Sequence, residues 1–378
     1  MIAEKIKKLL GDRVGERECF GERREYYVEA PVKGDLEALL ALMTENGYKP
    51  MSDTTRAKNR YLLYRTDEGA LYISYTYKLG CIRIFLDKGK EPYLGSGARS
   101  AKGEAHLTLM NMAYDDEVQV SHDNGLGMIV TLADGSFIIY DGGYCTEVEG
   151  LLRFLTDNAP KNTKPVIRAW VLTHTHMDHY GCFDTFVRRY SDRVDIQTII
   201  ACIVLDEFYG GKRVNDRYFN DVLPLLAKEK NLPIVTPTAG QIYEYAGVKM
   251  EVIQTAEDLY PLPVGMENHA STVTRLIFDE QRRNVLVTAD VARSAVSFLV
   301  STWGDYLKSD IMQVPHHGHS GATKELFDTV DPEVVIYTTD RKHYLERIES
   351  NTAWNHYLIN ELNVKKAFVA DGEYQIIL

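Results

Sequence analysis

An apolar run that stops on a cluster of metal-ligand side chains constrains this chain more than any other feature. In "WVLTHTHMDHYG", Trp170 to Gly181, a short hydrophobic stretch with the character of a buried strand ends at Thr173, and three of the 11 histidines follow within six positions. Residues two apart on a strand point the same way, so His174 and His176 can converge on one ion. Asp178 and His179 place a carboxylate and a third imidazole close enough for a second. Two divalent ions about 3.5–4 Å apart make a hydrolytic site that clamps both attacking and leaving oxygens. A polar loop with a helix cap accounts for one such histidine, but not for three in H-x-H-x-D-H order behind a strand.

Four ligands from one loop do not complete two metal shells, so more carboxylate or imidazole must come from elsewhere. "NVLVTADV" ends an apolar strand on Asp290, where a carboxylate could reach both ions, and "IMQVPHHGHSG" ends another on His316 and His317. Alone, Asp290 reads as a helix N-cap before "VARSAVSF", and the histidine pair as a solvated loop. The same strand-end context three times over joins them into one set.

The rest of the chain is organised to carry such a site. At 378 residues it suits two domains, or one large α/β domain with an appendage. With 45% hydrophobic and 26% charged residues it has the composition of a folded, enzyme-sized protein rather than a disordered one. Residues 1–97 carry a helical start, "REYYVEA", a helical "GDLEALLALMTENG" and a β meander ("RYLLYR", "ALYISYTY", "CIRIFLD") cut by turn-forming clusters, which together predict a small α+β unit. Its tyrosines (Tyr61, Tyr64, Tyr72, Tyr75, Tyr77) could line a ligand face, but aromatic residues are good strand residues and packing is the preferred reading. "GSGARSAKGE", Gly95 to Glu104, is the best linker candidate. From 104 to 378 strands alternate with helices in two similar halves, predicting a layered α/β sandwich rather than an all-parallel doubly wound sheet.

Charge and cysteine usage narrow the setting. A net charge of −11 leaves no sequence-wide basic field for a phosphate backbone, which disfavours nucleic acid as partner. The segment "RRYSDR" reads as a solvated helix end. "MIAEKIKKLLGDRVGERE" has neither a signal-peptide core nor a bilayer-length apolar stretch, so a cytoplasmic location without membrane association is expected. Five cysteines (Cys19, Cys81, Cys145, Cys182, Cys202), widely spaced and without a C-x-x-C pair, predict reduced structural thiols. His106, His122, His343 and His356 fall outside the motif set and are expected to be ordinary surface or core histidines.

"THTHMDHYG" resembles the H-x-H-x-D-H signature of the metallo-β-lactamase superfamily. "FIIYDGG" resembles its early strand ending on Asp, "LVTAD" its bridging-aspartate motif and "VPHHGHSG" its final histidine motif, in the right order from about His106 onward. "NHASTVTRLIFDEQRRNVLVTAD" followed by "MQVPHHGHS" is similar to the branch containing the hydrolase domain of DNA-uptake competence proteins and choline-phosphate esterases. The resemblance implies a four-layer αββα sandwich preceded by the small α+β domain, and a di-metal hydrolase. It implies that His174 and His176 hold the first metal, Asp178 and His179 the second, that Asp290 bridges, and that His316 completes the second shell with His317 as the alternative. Asp141 would orient a ligand histidine. Three departures stand out: Gly181-Cys182 replaces Gly-Gly, Thr288-Ala289-Asp290 replaces Thr-Gly-Asp, and the further first-metal histidine of other branches could only be His269.

Such a site activates water against a carbonyl or phosphoryl centre. Asp178 is the expected group to orient that water or take its proton, and His317 or His319 to contact the oxyanion or protonate a leaving group. With no thiolate ligand, zinc is expected first by availability and affinity, while imidazole and carboxylate also accept manganese and iron. A phosphodiester or related phosphate ester is the first choice of substrate. Lactone or thioester hydrolysis on the same metals, and a non-catalytic metal-binding scaffold or sensor, are the alternatives.

Overall fold

The computed structural model describes residues 1–97, 103–112, 124–209, 216–260, 267–292, 294–362 and 364–378. His122 and part of the expected linker lie outside them. Three sheets carry the chain. The first is antiparallel, is built entirely from residues 15–88, and runs in the order Gly15–Glu18, Arg23–Glu29, Cys81–Lys88, Gly69–Thr76, Asn59–Thr66, Pro50–Arg56. Its meander follows the turns that the sequence marks at 67–68 and 77–80.

Strand alternation divides this N-terminal sheet into two buried faces. Leu62, Tyr64, Leu71, Ile73, Ile84 and Leu86 pack under the helices Ile2–Leu10 and Asp35–Glu45. Their sequence neighbours Tyr61, Leu63, Ala70, Tyr72 and Phe85 face the other way and join a core with Val291, Ala295 and Trp303 from the body of the protein. Buried charge crosses the same junction. Arg23, 2% exposed, reaches Asp87 at 2.7 Å and Glu257 at 2.9 Å, while Arg83 pairs with Glu25 at 2.6 Å and donates to the carbonyl of Glu257.

The body is an αββα sandwich. One sheet has a mixed core of Gly127–Thr131, Phe137–Asp141 and Val166–Leu172, extended by Ile199–Ala201 and Ile234–Val235 on one side and by His106–Leu109 and Gln375–Ile376 on the other. The other runs Ile242–Tyr245, Val248–Gln254, Val273–Phe278, Arg283–Val287, Ile311–Gln313, Val334–Tyr337, Lys366–Val369. Alternation again assigns the layers. Val285, Val287, Ile311 and Ile336 face the first body sheet, whereas Leu286, Met312 and Val335 face the outer helices Ser294–Trp303 and Lys324–Val330. Helices Val148–Asn158 and Met177–Tyr190 cover the opposite side through Leu151, Leu155, Phe183 and Phe186.

Strand His106–Leu109 and helix Arg341–Glu349 are absent from the expectations above. "HLTL" is only four residues long, and "RKHYLERIE" buries just Tyr344 and Arg347, too little for an apolar stripe.

Candidate metal centre

The centre forms where parallel strands of both body sheets end. Val166–Leu172 pairs in parallel with Phe137–Asp141, and Arg283–Val287 in parallel with Ile311–Gln313. Parallel strands bring their C-terminal ends to one edge, so the loops beginning at Thr173, Thr288 and Val314, together with Asp141, converge there. Trp170 anchors the first of these ends. It is fully buried, packs edge-on against Phe183 and Phe186 of the following helix, and donates Nε1–H to the Asp141 carbonyl at 2.6 Å. Helix Met177–Tyr190 then starts with His176 as its N-cap and Asp178 in its first turn, where the helix dipole favours a carboxylate.

Two groups of side chains meet at Asp290. Asp178, His179, Asp290 and His317 bring one ligand atom each within 4.8 Å of one another, and His174, His176 and Asp290 do the same. His179 Nε2 and His317 Nε2 each lie 3.3 Å from Asp290 Oδ2, His174 Nε2 lies 3.9 Å from it, and His174 Nε2 is 3.1 Å from His176 Nδ1. His317 Nε2 also contacts Asp178 Oδ2 at 3.0 Å. Both Asp290 oxygens and His179 Nε2 are buried without a hydrogen bond. Buried carboxylate oxygens and imidazole nitrogens that face one another unbonded are the donor set that a divalent cation satisfies, so the residues fit a metal.

Asp141 holds this set from behind. Its carboxylate lies 2.7 Å from His179 Nδ1 and accepts hydrogen bonds from Thr173 N at 2.8 Å and Thr173 Oγ1 at 2.7 Å. With Nδ1–H donated to Asp141, His179 presents Nε2 to the centre. Thr338 Oγ1 does the same for His317 at Nδ1, 2.8 Å away, and the buried Arg347 donates to the His317 carbonyl at 2.7 Å and to Asn124 Oδ1 at 2.7 Å. Ser271 Oγ accepts from the Asp290 backbone N–H at 3.2 Å. The turns are held in strained backbone: Asp141, Ala289, His316 and His317 have φ of 52°, 49°, 49° and 55°, in the left-handed region that favours glycine.

Burial sets the electrostatics, and charge corrects it. Burial alone would raise Asp290, but the imidazoles of His317 and His179 hold it well below the usual carboxylate range. Burial alone would lower His317, yet Asp290 and Asp178 outweigh it and push the metal-free imidazole up to about 9. His179 is raised in the same way, its own burial being overcome by Asp290, Asp178 and Asp141. Burial dominates at His174 and His316, which are lowered, and at Asp141, which is raised.

The structure thus brings His174, His176, Asp178, His179 and Asp290 together, with Asp141 behind His179. His317 is the member of the histidine pair that faces both Asp178 and Asp290. His316 Nε2 is 3.7 Å from Asp290 Oδ2, and its ring nitrogens contact Asn268 at 3.2 Å and Ser320 at 2.9 Å. His319 is exposed beside His316. His269 is buried on the turn Glu267–Ala270 and is not in either ligand group. Asp290 does not act as a helix cap, since neither of its carboxylate oxygens accepts a hydrogen bond. Sequence reasoning passed over Thr173, Ser271, Thr338 and Arg347. The threonines could have been found as strand-end hydroxyls next to the motifs, but nothing in the sequence ties Arg347 to His317.

No curated protein sequence matches the chain. Among solved structures it is similar to CmlA, a diiron β-hydroxylase from Streptomyces venezuelae, at 10% identity and TM-score 0.43 over 98% of this chain and 76% of that one. It is also similar to Zn(2+)-bound PqqB from Methylobacterium extorquens, at 10% identity and TM-score 0.42 over 71% and 99% of the two chains. Unliganded yeast PDE1 matches at 12% identity and TM-score 0.41 over 73% and 100%. The sequence profile of the metallo-beta-lactamase superfamily matches residues 124–340, more than half of the chain and the span that holds both ligand groups. The chain belongs to the metallo-beta-lactamase superfamily, whose fold binds divalent metal ions.

Proposed function

We propose that the protein is a di-metal hydrolase acting on a phosphodiester or a related phosphate ester. The observation that carries this reading is the sharing of Asp290 between two ligand groups, with no hydrogen bond on either of its oxygens. His174 and His176 would hold one ion and Asp178, His179 and His317 the other. His317 takes the place in that shell for which His316 was the first expectation, because its Nε2 faces both carboxylates. Two divalent ions bound there, zinc first and manganese or iron by the same donors, would supply Lewis-acid activation of water and stabilisation of a developing oxyanion.

The chain's own residues do the rest. Asp178, partly open to solvent, orients the attacking water and takes up its proton at the carboxylate. Asp141 and Thr338 fix the ring faces of His179 and His317. With His317 in the metal shell, the exposed His319 contacts the oxyanion or protonates the leaving group in this reading. The similarity of "NHAST…LVTAD…VPHHGHS" to the competence-protein and choline-phosphate-esterase branch supports a phosphate ester over an acyl substrate. A net charge of −11 supports a small substrate over nucleic acid. Among the described residues no helix is long and apolar enough to cross a membrane. A cytoplasmic location is part of this reading, supported by five scattered cysteines without a C-x-x-C pair. Residues 1–97 and 104–378 are proposed as two units that share a buried junction.

Metal analysis of protein purified without added metal or a histidine tag tests this first, alongside the His176→Ala and Asp290→Ala variants. About two equivalents of metal are expected in the parent, with metal and turnover of bis(4-nitrophenyl) phosphate lost together in both variants while the fold persists. Full metal content and turnover in either variant would show the ligand set to be wrong. Metal with turnover of thioesters or lactones alone would move the substrate to the acyl class, and metal with no turnover of either would leave a binding scaffold.

A further inference from the structure

Three of the imidazoles in the two ligand groups are braced at the ring. His179 leans on Asp141 and His317 on Thr338, and His174 Nδ1 lies 3.2 Å from Thr173 Oγ1. The His176 ring has no such support. Its Nδ1 faces His174 Nε2 at 3.1 Å, inside the centre, and no side chain among the described residues bonds its other nitrogen. A ligand with no partner behind its ring takes its orientation from the backbone on either side.

Both sides of His176 are held by one segment, residues 216–222. On the N-terminal side stands Thr175, between the two ligand histidines and 3% exposed. Its hydroxyl is shared between Asp216 Oδ1 at 3.3 Å and the Asp216 carbonyl oxygen at 3.4 Å, and it accepts from Phe219 N at 3.3 Å. On the C-terminal side the His176 carbonyl accepts the His179 and Tyr180 N–H groups at 3.0 and 3.1 Å, where helix Met177–Tyr190 begins. Tyr180 stacks on Tyr218 with ring centroids 3.7 Å apart and planes within 4°, and its hydroxyl faces Asp216. One helical turn further on, Asp184 Oδ1 accepts from the Tyr218 hydroxyl at 3.0 Å.

The segment is shaped locally and anchored away from the centre. Asp216 Oδ1 accepts the Tyr218 N–H at 3.0 Å, and a single π-helical turn, Tyr218–Val222, follows. Isolated turns of that kind recur at functional sites. Arg217 fastens the segment to Asp206 at 2.7 Å and pairs with Asp221 at 3.0 Å, while Asn220 Nδ2 donates to the Val204 carbonyl at 2.8 Å. None of these anchors belongs to a ligand group, so the clasp on His176 does not depend on an ion. We infer that Asp216 is a positioning residue for the first ion, acting on His176 through Thr175. The inference rests on the two-ion reading above. It gives a role to a carboxylate in "DRYFND", a stretch outside every strand-end motif.

Chelator competition and the visible spectrum of the full, cobalt(II)-loaded chain test this. Asp216→Ala should weaken one of the two ions about tenfold and shift its absorption bands. Asp216→Asn keeps an oxygen toward Thr175 and Tyr218 and should restore parental affinity. Thr175→Val should repeat the loss, and combining it with Asp216→Ala should cost little more, because both act on one contact. A lowered midpoint in urea unfolding with parental cobalt affinity and spectrum would make Asp216 merely structural and overturn the inference. So would additive losses in the double variant, or an Asn variant as weak as the Ala one. His176→Ala separates the two levels. Loss of the ion there with parental affinity in Asp216→Ala sinks the role of Asp216 alone, whereas an ion retained in His176→Ala sinks the two-ion reading and this inference with it.

Discussion

At the scale of single residues, the centre is built from side chains in backbone conformations that most residues avoid. Ala289 has a φ of +49° at the position where the resembling branch carries glycine, and its carbonyl accepts the His316 N–H at 2.9 Å. Ala289→Gly should therefore stabilise the fold by about 1 kcal/mol, read as a raised midpoint in urea unfolding with an unchanged slope. A second expectation concerns protons. In the metal-free protein His317 titrates at about 9, above its ordinary 6.5, so the stability it contributes is complete below pH 6.5 and is lost as pH rises through 9. The melting temperature of chelator-treated protein should fall across that window. Metal affinity, measured by chelator competition, should rise over the same range, because the ion displaces the proton on Nε2. A flat melting profile would remove His317 from the charged cluster. The choice within the pair was not legible in "PHH", since two adjacent histidines on a tight turn diverge according to φ, which the letters do not encode.

Elements explain why so much of the site was legible and why some was not. Each motif sits where an apolar strand stops, and an apolar run of that kind is read as reliably as anything in a sequence. His174, Asp290 and the histidine pair could thus be placed at strand ends from the sequence. Helix Arg341–Glu349 escaped because its work is polar. It turns one buried arginine onto the carbonyl of His317 and onto Asn124, contacts across 30 and 223 residues of sequence that no periodicity reports. Arg347→Met should leave the helix in place while releasing the His317 turn, lowering metal affinity on the order of tenfold, a typical effect of losing a group that orients a ligand. Titration with a metallochromic indicator would measure it, and unchanged affinity would make Arg347 only a strut.

Across the whole molecule, the N-terminal sheet is an inner layer rather than an appendage, with both faces covered. The pair Arg23–Glu257, each about 1–2% exposed, lies in that junction. Arg23→Met strands two carboxylates, Asp87 and Glu257, and should cost about 3–5 kcal/mol, whereas Arg23→Met combined with Glu257→Gln should recover part of the loss. A double-mutant cycle by denaturant unfolding reads both, and strict additivity would show that the pair is not coupled. Packing was the preferred reading for the tyrosines of "RYLLYR", but an aromatic strand does not name its second partner.

His317 meets Asp178 across 139 residues, and the two follow strands of different sheets. Such a contact exists only once both sheets have formed and docked, so the ligands assemble late on the folding path. A cation arriving earlier would find the HTHMDH loop alone. Loading should therefore leave the refolding rate nearly unchanged and act on the return journey, slowing unfolding by fastening two layers that must separate for the chain to open.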